Sequence, residues 1–223
     1  MLRTISDQFL HLKVHTLCNI GEYAVDGVIG RTHTHSRKIQ RIEFFQKSLV
    51  KEAAQMVNTL SKYLRQSINK GPGIIPLREE LELSKTYISI MQTRFKNRFS
   101  VNFEIEDAAE MYCIPKLSLQ PLLENALLHG ILYCEKPEKE LTVRAWVADG
   151  SVHIEIEDNG NGMSEETVRA LESGTTGYGL GNVRKRLALF SKNEGNFDIF
   201  SREGFGTCIA IRIPAITGES AAL

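Results

Sequence analysis

Glu124 and Asn125 stand side by side in the segment QPLLENALLHG, and further along the chain Asp158 opens DNGNGM. A carboxylate next to a neutral amide can serve two purposes. Mg²⁺ takes few protein ligands and keeps water or phosphate oxygens around it, so Asn125 is the candidate metal ligand. Glu124 can polarise an attacking group as a base. Asp158 ends an alternating strand pattern, where its carboxylate can accept a hydrogen bond from the exocyclic amine of adenine; guanine would turn a carbonyl toward it. Gly160 and Gly162 let the backbone pass close to a base and adopt φ > 0, and Met163 closes the run. TGYGLGN supplies Gly177, Gly179, Leu180, Gly181 and Asn182 in a glycine loop that opens a helix. Free N–H groups and a partial positive charge at such a terminus suit phosphates. The loop is neither a P-loop, since G-x-x-x-x-G-K-[ST] is absent, nor a dinucleotide fingerprint, since no βαβ unit surrounds it. GFGT contributes Gly206 and Thr207, and His129 with Gly130 ends the segment that carries Glu124. Taken together, these are the parts needed to hold ATP and Mg²⁺.

Elements must bring them together. The apolar spacing of Leu83, Tyr87, Ile90 and Met91 predicts a helix over 77–93. SVNFEIE from Ser100 alternates as a strand, and Pro115 to His129 reads as a helix with Gly130 as its stop. LTVRAWV and VHIEIED form a hairpin around Asp149-Gly150, a strong turn pair. SEETVRALESGTT reads as a short helix and mobile lid, Leu180 to Phe190 as another helix, and FDIFS and CIAIRIP as two strands joined through Gly204 and Gly206. Helices on one mostly antiparallel sheet make an α+β sandwich.

The first 70 residues have a different pattern. Ile42, Phe45, Leu49, Ala53, Met56, Leu60 and Leu64 recur in steps of three and four, which predicts a long amphipathic helix over 39–68. An earlier helix runs from about Thr4 to Val28, and GRTHTHSRK is a solvated turn between them. Such a hairpin exposes an apolar stripe, which either a second copy covers as a four-helix bundle or the rest of the same chain covers. At ~100° per residue, Leu10, Val14, Leu17, Ala24 and Val28 share one stripe, while His15 and Asn19 project from the other side. His11 lies about one position around from His15; His33 and His35 read as solvated, and His153 as structural. The expected domains are therefore a helical region over 1–70, a linker over 71–76, the sandwich over 77–214 and a flexible tail over 215–223.

The glycine-containing boxes, in this order, resemble the GHKL ATPase fold over residues 77–214. LSKYLRQSI, PLREELELSKTYISIMQTRF and IPKLSLQPLLENALLHG are similar to the cytoplasmic part of LytS-type sensor histidine kinases. That resemblance implies ATP and Mg²⁺ as cofactors, a dimeric helical region, and a phosphoacceptor in a helix with a pattern close to P-H-F-L-F-N. VHTLCN keeps the H-x-L-x-N frame at His15, Leu17 and Asn19 and replaces the other three positions. It implies His15 as acceptor, with His11 as the alternative, Glu124 and Asn19 as assisting groups, and the receiver domain of a response regulator as partner. Many relatives carry Lys just before the His-Gly pair, where this chain has Leu128; the phosphate contact is then either missing or supplied from elsewhere, with Arg184 and Lys185 as candidates. The departures in VHTLCN also leave a second expectation open: a non-catalytic regulatory dimer that binds ATP but has a degenerate acceptor.

Composition excludes several other classes. The 223 residues carry 27 Lys plus Arg against 27 Asp plus Glu, so there is no charge excess to attract nucleic acid or an acidic membrane surface. No apolar run approaches the ~20 residues of a membrane span, and Arg3, Ser6 and Asp7 interrupt any signal sequence. The four cysteines, Cys18, Cys113, Cys134 and Cys208, are far apart, without metal spacing, and read as reduced thiols of a cytoplasmic chain. A membrane connection is expected only through a sensor segment outside this sequence, as in the cytoplasmic part of an inner-membrane sensor.

Overall fold

The computed structural model describes residues 50, 54, 56–61, 63–65, 73–96, 98–173, 178–192 and 194–218. The expected acceptor segment with His11, His15 and Asn19, the first helix of the hairpin, the bundle it would form and Gly177 lie outside these residues. The chain divides into two units between Glu52 and Ala53, and the second is described here. Its residues 54, 56–61 and 63–65 are helical, within the expected 39–68 helix, and the Tyr63 ring lies 6.1 Å from that of Tyr87.

A five-stranded sheet organises the rest. In chain order its strands are β2 (Ser100–Ile105), β4 (Glu140–Ala148), β5 (Ser151–Asp158), β6 (Asn196–Arg202) and β7 (Gly206–Pro214). They lie side by side as β2-β4-β5-β7-β6. β2 pairs with β4 in parallel, and every other pairing is antiparallel. The sheet is mixed and mostly antiparallel, as the alternation of its strands predicts. Alternation also fixes which face is buried. Leu141, Val143 and Ala145 of β4, Val152, Ile154 and Ile156 of β5, and Ile209, Ile211 and Ile213 of β7 are all 3% exposed or less and point to one side. On the opposite face Arg144 bridges three strands, 2.9 Å from Glu104 of β2 and 2.6 Å from Glu157 of β5.

Helices cover the buried face. α1 (Leu77–Arg94) buries Leu77, Leu81, Ser84, Ile88 and Met91 along one stripe. α2 (Gln120–Asn125) is only six residues long, too short to persist alone. Leu122 and Leu123 of this helix, and Leu127 just after it, are fully buried, and each contributes about 1.5–3 kcal/mol of transfer free energy. α3 (Glu165–Glu172) is capped by Ser164, whose side chain accepts from the Thr167 N–H. α4 (Tyr178–Phe190) buries Leu180, Val183 and Leu187 and packs on α2.

Three local findings differ from expectation. Ile74–Pro76, within the expected linker, form strand β1 and pair antiparallel with β3 (Cys113–Pro115); β-branched Ile74 and Ile75 suit that role. Pro115 to Leu119 is not helical: the chain turns there, with Leu117 at φ 60. Ala215 and Ile216, expected in a frayed tail, are pinned by the Ala215 N–H on the Gly150 carbonyl at 3.0 Å and the Cys113 N–H on the Ile216 carbonyl at 2.7 Å.

Candidate functional site

After Asn125 the helix does not stop. Ala126–Ile131 continues as a π-helix, closed by Leu132 N–H donating to the Leu127 carbonyl at 2.9 Å. Such widened turns occur mostly as local bulges within helices, frequently at functional sites. Gly130 is therefore inside the element, not its left-handed stop, and its φ is not positive. Another constraint applies to it: a Cβ on Gly130 would sit 2.5 Å from Asp158 Oδ1. A Cβ on Gly160 would run into the Gly130 carbonyl, and one on Gly206 into the Asp158 carbonyl. The Asn161 N–H donates to the Gly130 carbonyl at 3.2 Å. Three glycines far apart in sequence thus let the π-segment, the loop after β5 and the start of β7 meet around one side chain.

That side chain is Asp158, 5% exposed. Its Oδ1 accepts from the Gly160 N–H at 2.9 Å. Burial pushes the carboxyl up to about 6, against the opposing pull of the Gly160 and Thr207 N–H groups and the Lys136 ammonium. A carboxylate has roughly four acceptor positions, so capacity remains for a donor from a ligand. An amine such as that of adenine fits this chemistry, and a carbonyl does not.

The loop is held from several sides. The Met163 N–H donates to Ser201 Oγ at 2.8 Å, and Ser201 Oγ donates to the Gly206 carbonyl at 3.0 Å. Ser201 Oγ is also 2.9 Å from Thr207 Oγ1. Gly162 takes φ 66, and a Cβ there would strike the Arg202 carbonyl. Lys136 Nζ donates to the Asn159 carbonyl at 2.5 Å and to that of Phe205 at 3.5 Å. A cleft of about 640 Å³ opens alongside, between α3 and the β6–β7 pair, and reaches Asp158, Gly206 and Thr207. Glu124 and Asn125 do not line it; their element meets the glycine loop through Gly130.

Glu124 and Asn125 are half-buried on α2. Gln120 Nε2 donates to Glu124 Oε1 at 2.8 Å, one turn back. Burial pushes the Tyr87 phenol up, and the nearby Glu124 carboxylate adds to the rise. His129 is exposed. α4 begins at Tyr178, two residues earlier than the sequence predicts, so Gly179, Leu180 and Gly181 fall in its first turn, whose N–H groups have no intrahelical partner. Among the described residues, a Cβ at Gly179 or Gly181 would meet nothing within 4 Å. Asn182 is exposed there. Arg184, expected to contact phosphate, donates to the Glu172 carbonyl at the end of α3 at 2.8 Å.

Among the described residues no three His, Cys, Asp or Glu gather as a metal cluster. Cys113, Cys134 and Cys208 are free thiols. Among the described residues no helix is long and apolar enough to cross a membrane. Ser201, Gln120 and Lys136 were not singled out by sequence. Only Gln120 left a signal, its i, i+4 spacing to Glu124.

The fold agrees with direct comparison. Residues 115–217 match the family model of the histidine kinase-, DNA gyrase B- and HSP90-like ATPases, and residues 39–99 match that of the histidine kinases. The chain belongs to the sensor histidine kinase family and carries its GHKL ATP-binding domain. Among its relatives are the sensor histidine kinase YesM of Bacillus subtilis, 37% identical over 165 residues (74% of this chain, 28% of that protein), and the sensor protein LytS of Bacillus anthracis, 35% identical over 178 residues (76% and 30%). The chain spans less than a third of either relative's length. The histidine kinase domain of the Erythrobacter litoralis EL346 blue-light activated histidine kinase has the same fold, with a TM-score of 0.52 and 19% identity over 86% of this chain and 89% of that one.

Proposed function

We propose that the chain binds Mg-ATP in the second unit, transfers the γ-phosphoryl group to His15 and passes it to an aspartate on the receiver domain of a response regulator. The buried Asp158 carboxylate, with acceptor capacity left over and three glycines packed around it, is the observation that carries this reading. Adenine donates its amine to Asp158. The phosphates lie at the start of α4, by Gly177, Gly179, Leu180, Gly181 and Asn182, with His129, Gly130, Gly160, Gly162, Met163, Gly206 and Thr207 forming the remaining walls. The amide oxygen of Asn125 would hold Mg²⁺ together with phosphate oxygens, and that ion would neutralise charge on the transferring group.

An imidazole nitrogen of His15 attacks the γ-phosphorus in line; the N–P bond forms as the bond to the bridging β-phosphate oxygen breaks, and ADP leaves. Neutral imidazole is the nucleophile, the dominant form of an ordinary histidine above pH ~6.5. Glu124, oriented by Gln120, accepts the imidazole proton. Asn19, four residues after His15, positions water when phosphate is released from the partner. A dimer of the helical hairpin, as a four-helix bundle, would present His15 to the ATP-binding unit. We place this chain on the cytoplasmic side of a longer sensor.

Purified protein given radiolabelled ATP and Mg²⁺ should acquire acid-labile, base-stable phosphate. His15→Ala should abolish it and His11→Ala should not. Undiminished label on His15→Ala would sink the acceptor assignment. The altered VHTLCN frame supports a second reading, a regulatory dimer that binds ATP without phosphotransfer. Tight ATP binding with no label, in the presence of the regulator, would select it.

A further inference from the structure

We propose that Lys136 is a positioning residue for the adenine site: its ammonium ties the loop after β5 to the β6–β7 turn and holds the charge of Asp158 in place. The inference rests on the nucleotide reading above. Lys136 lies in the connection between the π-segment and β4, a stretch without a recognisable motif. Its Nζ nevertheless reaches two carbonyls from separate elements, Asn159 at 2.5 Å and Phe205 at 3.5 Å. Asn159 is itself fixed by its side chain: Oδ1 accepts from the Glu140 N–H at 2.9 Å, and Nδ2 donates to the Glu138 carbonyl at 3.1 Å. The residue directly after Asp158 is thus held from both sides, which sets the direction of the carboxylate before it.

Charge reinforces geometry. Asp158 is buried in a neighbourhood whose other charged groups include Glu157 on its own strand, which repels it, and Lys136, which favours its ionised form. His129, exposed one residue before Gly130, is the titratable side chain on the π-segment. An ionised carboxylate is the stronger acceptor for an adenine amine. Removing the ammonium therefore weakens the site in two ways: the loop loses a tie, and Asp158 takes up a proton at higher pH.

The test is ATP binding by calorimetry between pH 5 and 8, on the full chain and on Lys136→Met, Lys136→Gln and Lys136→Arg. Lys136→Met should weaken binding about tenfold at pH 7 and move the acid midpoint of binding upward by roughly one unit. Lys136→Gln, which keeps a donor but no charge, should shift the midpoint as Lys136→Met does, and Lys136→Arg should restore it. Unchanged affinity and midpoint in both Lys136→Met and Lys136→Gln would overturn the role while leaving the nucleotide reading intact. Failure of the unmodified chain to bind ATP would instead remove the nucleotide reading itself.

Discussion

Asp158 carries a conflict between stability and ligand capture. Its carboxyl is pushed up to about 6 from a value near 3.8 in an open chain. The folded state holds this proton more tightly than the unfolded one. Ionisation therefore costs the fold nothing below pH ~4, and the full cost is reached above pH ~6. Asp158→Asn removes that cost while keeping an oxygen for the Gly160 N–H. The variant should be more stable at pH 7.5, by at most about 3 kcal/mol, with the gain fading toward pH 4, and ATP binding should fall sharply. Thermal melts at both pH values, with calorimetry at pH 7.5, check the pair of effects; a variant no more stable at pH 7.5 would mean that burial does not penalise the ionised form. The reasons for some residue types were legible in the sequence and others were not. Asp158 could be picked out because its carboxylate ends a strand before a glycine run. Gly130 could be picked out too, but the sequence predicts a helix stop, whereas the glycine is required by a side chain that approaches from another element.

At the scale of elements, α2 depends on its neighbours. Glu80 of α1, 1% exposed, accepts from the Leu117 and Leu119 N–H groups at 2.9 Å each. Arg186 of α4 donates to the Leu117 carbonyl at 2.7 Å. The turn that launches Glu124 and Asn125 is therefore held by both flanking helices. Glu80→Ala should destabilise the fold by about 2–4 kcal/mol, because buried N–H groups lose their acceptor, and urea unfolding measures it; a loss under 0.5 kcal/mol would show that the turn holds without the carboxylate. The long periodic elements, α1, the β4–β5 hairpin and the β6–β7 pair, were readable from spacing and turn residues. β1 and β3, three residues each, were not, because such short strands carry no period and take their partners from distant parts of the chain. Glu80 sits on the buried stripe of α1 where apolar residues are the rule, and spacing alone gives a charged residue there no partner.

Across the whole unit, β2 stands apart from the other strands. It is the parallel member of the sheet, and its register joins Ser100 to Glu140, so the pairing must close a long loop that includes all of α2. The antiparallel strands β4 and β5 close through a tight turn with Asp149 at φ 51 and Gly150 at φ 69. Closing a longer loop costs more entropy and rewards it later. β2, an edge strand paired on one side only, should therefore join the sheet after the β4–β5 hairpin has formed and detach before that hairpin opens. Amide exchange by mass spectrometry should show the 100–105 segment losing protection before 141–147 and 152–157, as denaturant is raised; simultaneous loss would mean that the sheet opens as one unit. β2 would then let go before the hairpin that carries Asp158, and the chain could shed that outer edge while the nucleotide stayed bound.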